Sequence, residues 1–145
     1  MPSEWVYPVE LHREGGEIHA YTAFLPEAIA SGATESEALT EMGHALTAAV
    51  RGRIKDGMDL EPPGAAPSGA ASHAVPLPAR LAAKAAVYAA WKRSGLSKMA
   101  FADRIGRGES EVRRILDPDH GTKLDQMEEA AVALGGRLRV TFEEA

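Results

Sequence analysis

The chain has 145 residues, 45% of them hydrophobic, a formal charge of −5 and no cysteine. That length allows one domain or two small ones, and the missing thiols exclude disulfides, zinc–thiolate centres and cysteine nucleophiles. No apolar run approaches the roughly 20 residues that span a bilayer, and the opening MPSEWVYPVELHREGG has no basic start ahead of an apolar core, so no membrane association and a cytoplasmic location are expected.

Trp5 to Leu11 (WVYPVEL) is rich in β-forming residues, with Pro8 confining it to an edge or a strand's start. Glu14 to Glu17 has turn chemistry, and Ile18 to Phe24 alternates, with Ile18, Ala20, Thr22 and Phe24 on one face, which predicts a hairpin. After the loop at Leu25–Ile29, a short strand is expected near Ile29 to Ala33. Thr34 then opens a helix as N-cap, with Glu37 completing a capping box. The helix is expected to reach about Asp56, with Ala38, Met42, Ala45, Leu46, Ala49 and Ile54 on one side and Gly57 stopping it. Glu61 to His73, EPPGAAPSGAASH, offers little to bury and reads as a linker or long loop, with a fourth short strand expected at Ala74 to Leu77.

Past the joint, Pro78 to Lys92 reads as an alanine-rich helix carrying Leu81, Ala85, Tyr88 and Trp91 near helical spacing. The next stretch, LSKMAFADRIGRGESEVRRIL from Leu96 to Leu116, has the spacing of a helix-turn-helix. Ser97 caps a first helix, Lys98 to Ile105, and Ala102 is small where two helices must touch. Gly106 sits where the chain must turn with φ > 0. Val112 and Ile115 hold a second helix, Ser110 to Leu116, against the first. That leaves Ser110, Arg113 and Arg114 on the outward side for base edges and phosphates. Lys98, Arg107 in the turn and Lys123 at the start of a later helix complete the candidate DNA contacts. Asp117 to Gly121 is a turn. Leu124 to Leu134 is a further amphipathic helix (Leu124, Met127, Ala130, Ala131, Leu134), stopped by Gly135–Gly136. Arg137 to Glu143, RLRVTFE, alternates as a terminal strand that must pair within its domain or with a second copy.

Charge divides at the joint. Up to Leu77 the bases are Arg13, Arg51, Arg53 and Lys55 against eleven acids, whereas Arg80 to Arg114 holds nine bases against Asp103, Glu109 and Glu111. This asymmetry predicts an acidic module for a basic partner and a locally basic module for phosphates. The competing reading of the arginines is that they only balance Glu109 and Glu111. None of His12, His19, His44, His73 and His120 stands at i, i+4 from another histidine, so no metal site is expected.

Both halves resemble the HicB antitoxins of the helix-turn-helix-bearing type. The first half does so through Tyr7–Val9, Phe24-Leu25-Pro26-Glu27 and Ser31-Gly32-Ala33-Thr34-Glu35-Ser36-Glu37-Ala38. The second does so through Lys98–Gly106, Val112–Leu116 and Asp119–Leu124. The chain departs from that family's pattern at Ala33, where an acid is frequent, at Glu27 in place of Asp, and at Ala28–Ser31 in place of a glycine-centred turn. The resemblance implies an α+β chain, with a small N-terminal ββ(β)α(β) domain like a partial ribonuclease H fold in residues 1–62. A linker with a possible short strand would follow in 63–77, then a Xre/Cro-like helix-turn-helix domain for DNA binding and dimerisation in 78–145.

The function it implies is neutralising a HicA-like messenger-RNA-cleaving toxin while repressing its own operon at an operator. A homodimer or higher oligomer is expected, because one helix-turn-helix reads too few bases. The toxin contacts expected are Tyr21, Phe24, Leu25, Pro26 and Ile29 as apolar groups and Glu27 as charge partner. No cofactor and no enzyme activity are expected. Two-metal cleavage needs several converging carboxylates, and Glu10 on the first strand finds no acid on the second. A stand-alone ligand-responsive repressor is the alternative reading, with a ribonuclease H-like nuclease behind it.

Overall fold

The structure, a computed structural model, describes residues 2–67 and 71–145; Ser68 to Ala70, in the expected linker, lie outside the described residues. Four antiparallel strands form one sheet in the order β3-β2-β1-β4: β1 Val6–Glu14, β2 Glu17–Tyr21, β3 Ile29–Gly32 and β4 His73–Pro76. β1 and β2 are joined through the Gly15–Gly16 turn, and their register runs from Glu14 opposite Glu17 to Glu10 opposite Tyr21. β1 is an inner strand, yet Pro8 is tolerated in it. β2 pairs with β1 only as far as Glu10, while β4 pairs with Val6 to Val9, so at Pro8 the strand has a neighbour on one side alone. β4 is the fourth short strand expected at Ala74–Leu77, shifted by one residue, and it pairs with β1.

β2 ends at Tyr21, short of the expected Phe24. Ile18, Ala20 and Thr22 are buried as the alternation requires, but the chain turns after Thr22 and Phe24 leaves that face. α1, Glu35–Lys55, lies over the sheet and buries Ala38, Met42, Leu46, Val50 and Ile54 against Tyr7, Val9, Ile18 and Leu25 in one core. Val50 takes a place in this stripe, and Ala45 and Ala49 flank it half-buried. Thr34 caps α1 by accepting the Glu37 N–H at 3.1 Å. The reciprocal carboxylate bond of Glu37 takes the N–H of Ala33, at 3.0 Å, one residue earlier than a standard capping box.

The helical half holds α2 Ala79–Ser94, α3 Lys98–Ile105, α4 Glu109–Leu116 and α5 Leu124–Ala133. Phe101, Ala102, Val112, Ile115, Met127 and Ala130 form its centre with Leu81, Ala85 and Tyr88 of α2. Leu124 is exposed at the first position of α5, where the expected apolar stripe had included it. The terminal segment Arg137–Glu143 forms no strand within the chain. Val140 and Phe142 stand 83% and 88% exposed, so pairing within its own domain is not realised.

Only two residues separate β3 from α1, and this brings Gly32 against the helix's first turn. A Cβ there would lie 2.6 Å from the Ala38 backbone nitrogen and 2.8 Å from the Glu37 Cβ. Gly32→Ala is therefore expected to destabilise the protein by about 1–3 kcal/mol through overpacking, measured as a lower thermal midpoint; an unchanged midpoint would mean the junction can widen freely.

Candidate functional site

The corner between α3 and α4 follows from local chemistry. Ser97 Oγ accepts the Ala100 N–H at 3.0 Å and starts α3. Gly106 ends it in the left-handed region, at φ 68°. The Arg107 N–H then reaches back to the Ala102 carbonyl (3.0 Å) and the Gly106 N–H to that of Asp103 (3.2 Å), the pair of bonds that seals a helix end with glycine. α4 begins two residues later. Val112 and Ile115 face inward, completely buried, while Ser110, Arg113 and Arg114 are exposed on its outer side. Lys98 and Lys123 are exposed at the first turn of α3 and just before α5.

Two arginines of this set are already engaged. Arg113 pairs with Glu109 one turn earlier, at 2.8 Å, in the favourable order with the acid nearer the helix N-terminus. Arg107 is half-buried and holds Glu111 at 2.9 Å and Glu129 of α5 at 2.7 Å. Its guanidinium thus ties the turn to α4 and α5. Glu109 and Glu111 are neutralised within the protein, and Arg114 keeps an exposed side chain.

On the sheet, Glu10, Tyr21 and Ile29 fall opposite one another on β1, β2 and β3, in one cross-strand row on the side away from α1. Ile29 is 70% exposed, a large apolar side chain left to water. Of the expected partner contacts, Leu25 is wholly buried and belongs to the core. Phe24 is partly exposed, with Gly64 of the joint crossing its ring. Pro26 and Glu27 are exposed, but Glu27 is gripped by Arg53 of α1 at 2.5 and 2.9 Å, and this hydrogen bonding holds its carboxyl below the usual range. Glu10 joins the row through register, a relation that composition along one strand does not display.

No family model matches the sequence. Curated proteins do. The chain is 33% identical over 139 residues to Antitoxin HicB of Pseudomonas fluorescens (strain Pf0-1), covering 96% of this chain and 94% of that protein. It is 34% identical to Antitoxin HicB 1 of Photorhabdus laumondii, over 94% of this chain and 86% of that one. With Antitoxin HicB of Escherichia coli (strain K12) the identity is 31%, over 94% and 98%. The chain belongs to the HicB antitoxin family.

Lys84, one of the nine bases that make the Arg80–Arg114 window of this HicB-family chain read as basic, is buried, with 1% of its surface exposed. Its ammonium donates to the carbonyls of Arg114 (2.8 Å) and Ile115 (2.9 Å) and to Thr122 Oγ1 (2.6 Å). Three donors meet three acceptors, two of them carbonyls in the last turn of α4; the Arg114 carbonyl also accepts the Asp117 N–H (3.2 Å) and the Thr122 hydroxyl (3.3 Å). Burial pulls the Lys84 pKa down from 10.5 to about 8. A second cluster joins α1 to the turn after α4. Arg51 holds Asp119 with two bonds, 2.6 and 2.9 Å, and Lys55 adds a third contact at 2.5 Å. Both cations hold the Asp119 carboxyl well below its ordinary range, the Arg51 bonds most strongly. Among the described residues no group of three or more His, Cys, Asp or Glu gathers as metal ligands would, and no helix is long and apolar enough to cross a membrane.

Lys84→Met is expected to cost about 1–3 kcal/mol by stranding the buried Ile115 carbonyl. The sign with pH is also defined. Between about pH 8 and 10.5 the unfolded chain keeps a proton that folded Lys84 has released, so this residue's contribution to stability rises with pH across that window. Denaturant unfolding at pH values spanning the window should show the rise in the wild type and its loss in Lys84→Met; parallel curves would remove the ammonium from this role.

Proposed function

We propose that this protein is a two-part antitoxin whose sheet-and-α1 half binds and neutralises a HicA-like toxin and whose helical half binds operator DNA to repress its own operon. The observation that carries the reading is the α3–α4 corner. A left-handed Gly106 sets a short helix with its apolar side sealed and Ser110, Arg113 and Arg114 turned outward, as a reading helix in a major groove requires. Lys98 and Lys123 are the accompanying phosphate contacts, and Arg107 reaches a phosphate only by leaving Glu111 or Glu129. The names of its relatives support the antitoxin role, and both targets, an intracellular message-cleaving toxin and DNA, fit a cytoplasmic protein.

The two units are residues 1–62 and 78–145. The pairing of β4 with β1 supports counting His73–Pro76 with the first. Toxin contact centres on Tyr21 and Ile29, with Pro26, Phe24 and Glu27 at its border. The reading is non-enzymatic, since the toxin is blocked by being covered. The exposed Val140 and Phe142 favour a homodimer in which the terminal segments of two copies pair.

Arg113→Ala with Arg114→Ala is expected to weaken binding to the DNA upstream of the gene by tenfold or more and to leave toxin capture intact, as two base or phosphate contacts are removed. Ile29→Asp is expected to do the reverse, losing roughly tenfold in toxin capture as a central apolar contact would. Band-shift titration and co-purification with the neighbouring small gene product measure the two. Loss of both activities in either variant would contradict the separation of roles.

A further inference from the structure

An open-sided cleft of about 330 Å³ lies where the end of α1 meets α2, α3 and α4. Each of these elements supplies it with a cation: Lys55 from α1, Lys92 from α2, Lys98 from α3 and Arg113 from α4. Asp117 is the one acid among its lining residues. Three of these cations stand in the last turn of a helix, where each stabilises its own helix's negative pole. That accounts for their type but not for their convergence. Lys55 and Arg113 are paired with Asp119 and Glu109, but Lys92 and Lys98 have no ion-pair partner among the described residues and face only Asp117 across the opening, so an anion seated there would be favoured.

We infer that this cleft seats a backbone phosphate of the same DNA that α4 reads, with Lys55 and Lys92 as contacts lying outside the helix-turn-helix. The inference rests on the DNA-binding role proposed for α4. Arg113 and Lys98, at the rim of that reading surface, also line the cleft, so a strand lying along α4 passes its mouth. Arg113 would reach an anion only by leaving Glu109, whereas Lys55 and Lys92 can turn to it at little cost. Arg51 holds Asp119 by two bonds of its own, so Lys55 leaves that carboxylate without stranding it. Lys92 has no ion-pair partner among the described residues. Trp91, also in the wall, has an indole N–H with no hydrogen-bond partner there.

Lys92→Gln and Lys55→Gln test this in the full-length protein, with Arg13→Gln on the distant hairpin as control. Affinity for a duplex from upstream of the gene is followed by fluorescence anisotropy through a salt series, with thermal midpoints as a check on folding. Each variant should reduce the slope of log K against log salt by about 0.9, one released counterion's worth. The fold-loss should be the same on that duplex and on a scrambled one, because a phosphate contact carries no sequence information. Arg13→Gln should match the wild type. Slopes unchanged in both lysine variants while Arg113→Ala with Arg114→Ala loses affinity would overturn the inference and leave the DNA reading standing. The same holds if inorganic phosphate binds the wild type and not Lys92→Gln without any change in DNA slope, which would make the cleft a seat for small phosphates. A wild type that binds neither duplex would instead remove the DNA reading itself.

Discussion

The Lys84 ammonium fixes the geometry on which the helical half depends. α4 has only eight residues, too few for its own hydrogen bonds to hold it in water, and its N-terminus has no side-chain cap. Its inner side is secured by Val112, Ile115 and Leu116. Its C-terminal end carries carbonyls that a helix cannot satisfy internally. A cation from α2 fills two of them and continues to Thr122, so the end of α4, the following turn and the long helix behind them are held from one point. Apolar contacts alone slide. A charged donor with three directed bonds defines position along α4 as well as distance from it. The same bonds offset part of the cost of burying the charge, which is the cost that lowers the lysine's pKa.

The second junction, between α1 and the turn after α4, is of a different kind. Arg51, Lys55 and Asp119 are exposed or nearly so, and exposed pairs contribute little to stability because water screens them. A guanidinium bound to a carboxylate by two bonds still has a preferred orientation. Asp119 is itself presented by a local turn, in which its N–H donates to Asp117 Oδ1 at 2.9 Å. The junction therefore sets how the end of α1 lies beside the turn while adding little free energy. Tyr88 reinforces it from the other side, donating its hydroxyl to the Met58 carbonyl at 2.6 Å just past α1.

Local patterns were legible in the sequence, and relations between distant residues were not. The cap at Thr34, the serine before α3, the glycine turn of the hairpin and the corner at Gly106 each depend on neighbours within a few positions, and each stands where its residue types require. The alternation of Ile18, Ala20 and Thr22 is realised, but the extrapolation to Phe24 fails because periodicity carries no information about where a turn interrupts it. Lys84 was misread for a similar reason. By composition a lysine is a surface cation, and the acceptors that admit it to the core lie 30 to 38 positions away. Leu25 and Ile29, read alike as apolar contact residues, part company in the fold. Both are aliphatic and separated by one turn, yet only the fold decides that the first plugs the core and the second faces water. The pairing of Glu27 with Arg53 across 26 positions follows the same logic. The terminal segment shows the reverse case, since a clean alternation specifies two faces without supplying the strand beside them.

The fold revises the electrostatic division between the halves in a way that bears on selectivity. Of the nine bases between Arg80 and Arg114, one is buried and three more, Arg93, Arg107 and Arg113, are joined to carboxylates. An arginine that must leave a carboxylate to meet a phosphate gains less from any random duplex than a free one does. The general attraction that binds every sequence alike is thereby reduced. Contacts to base edges are reduced less, because a bidentate guanine contact compensates for the broken pair only where the right base is present. On the proposed DNA-binding reading, a protein of net charge −5 with acids on α4 would be repelled by DNA in general and retained where α4 meets matching bases. Glu109 and Glu111, which face phosphates badly on their own, would on that reading act against the wrong sequences.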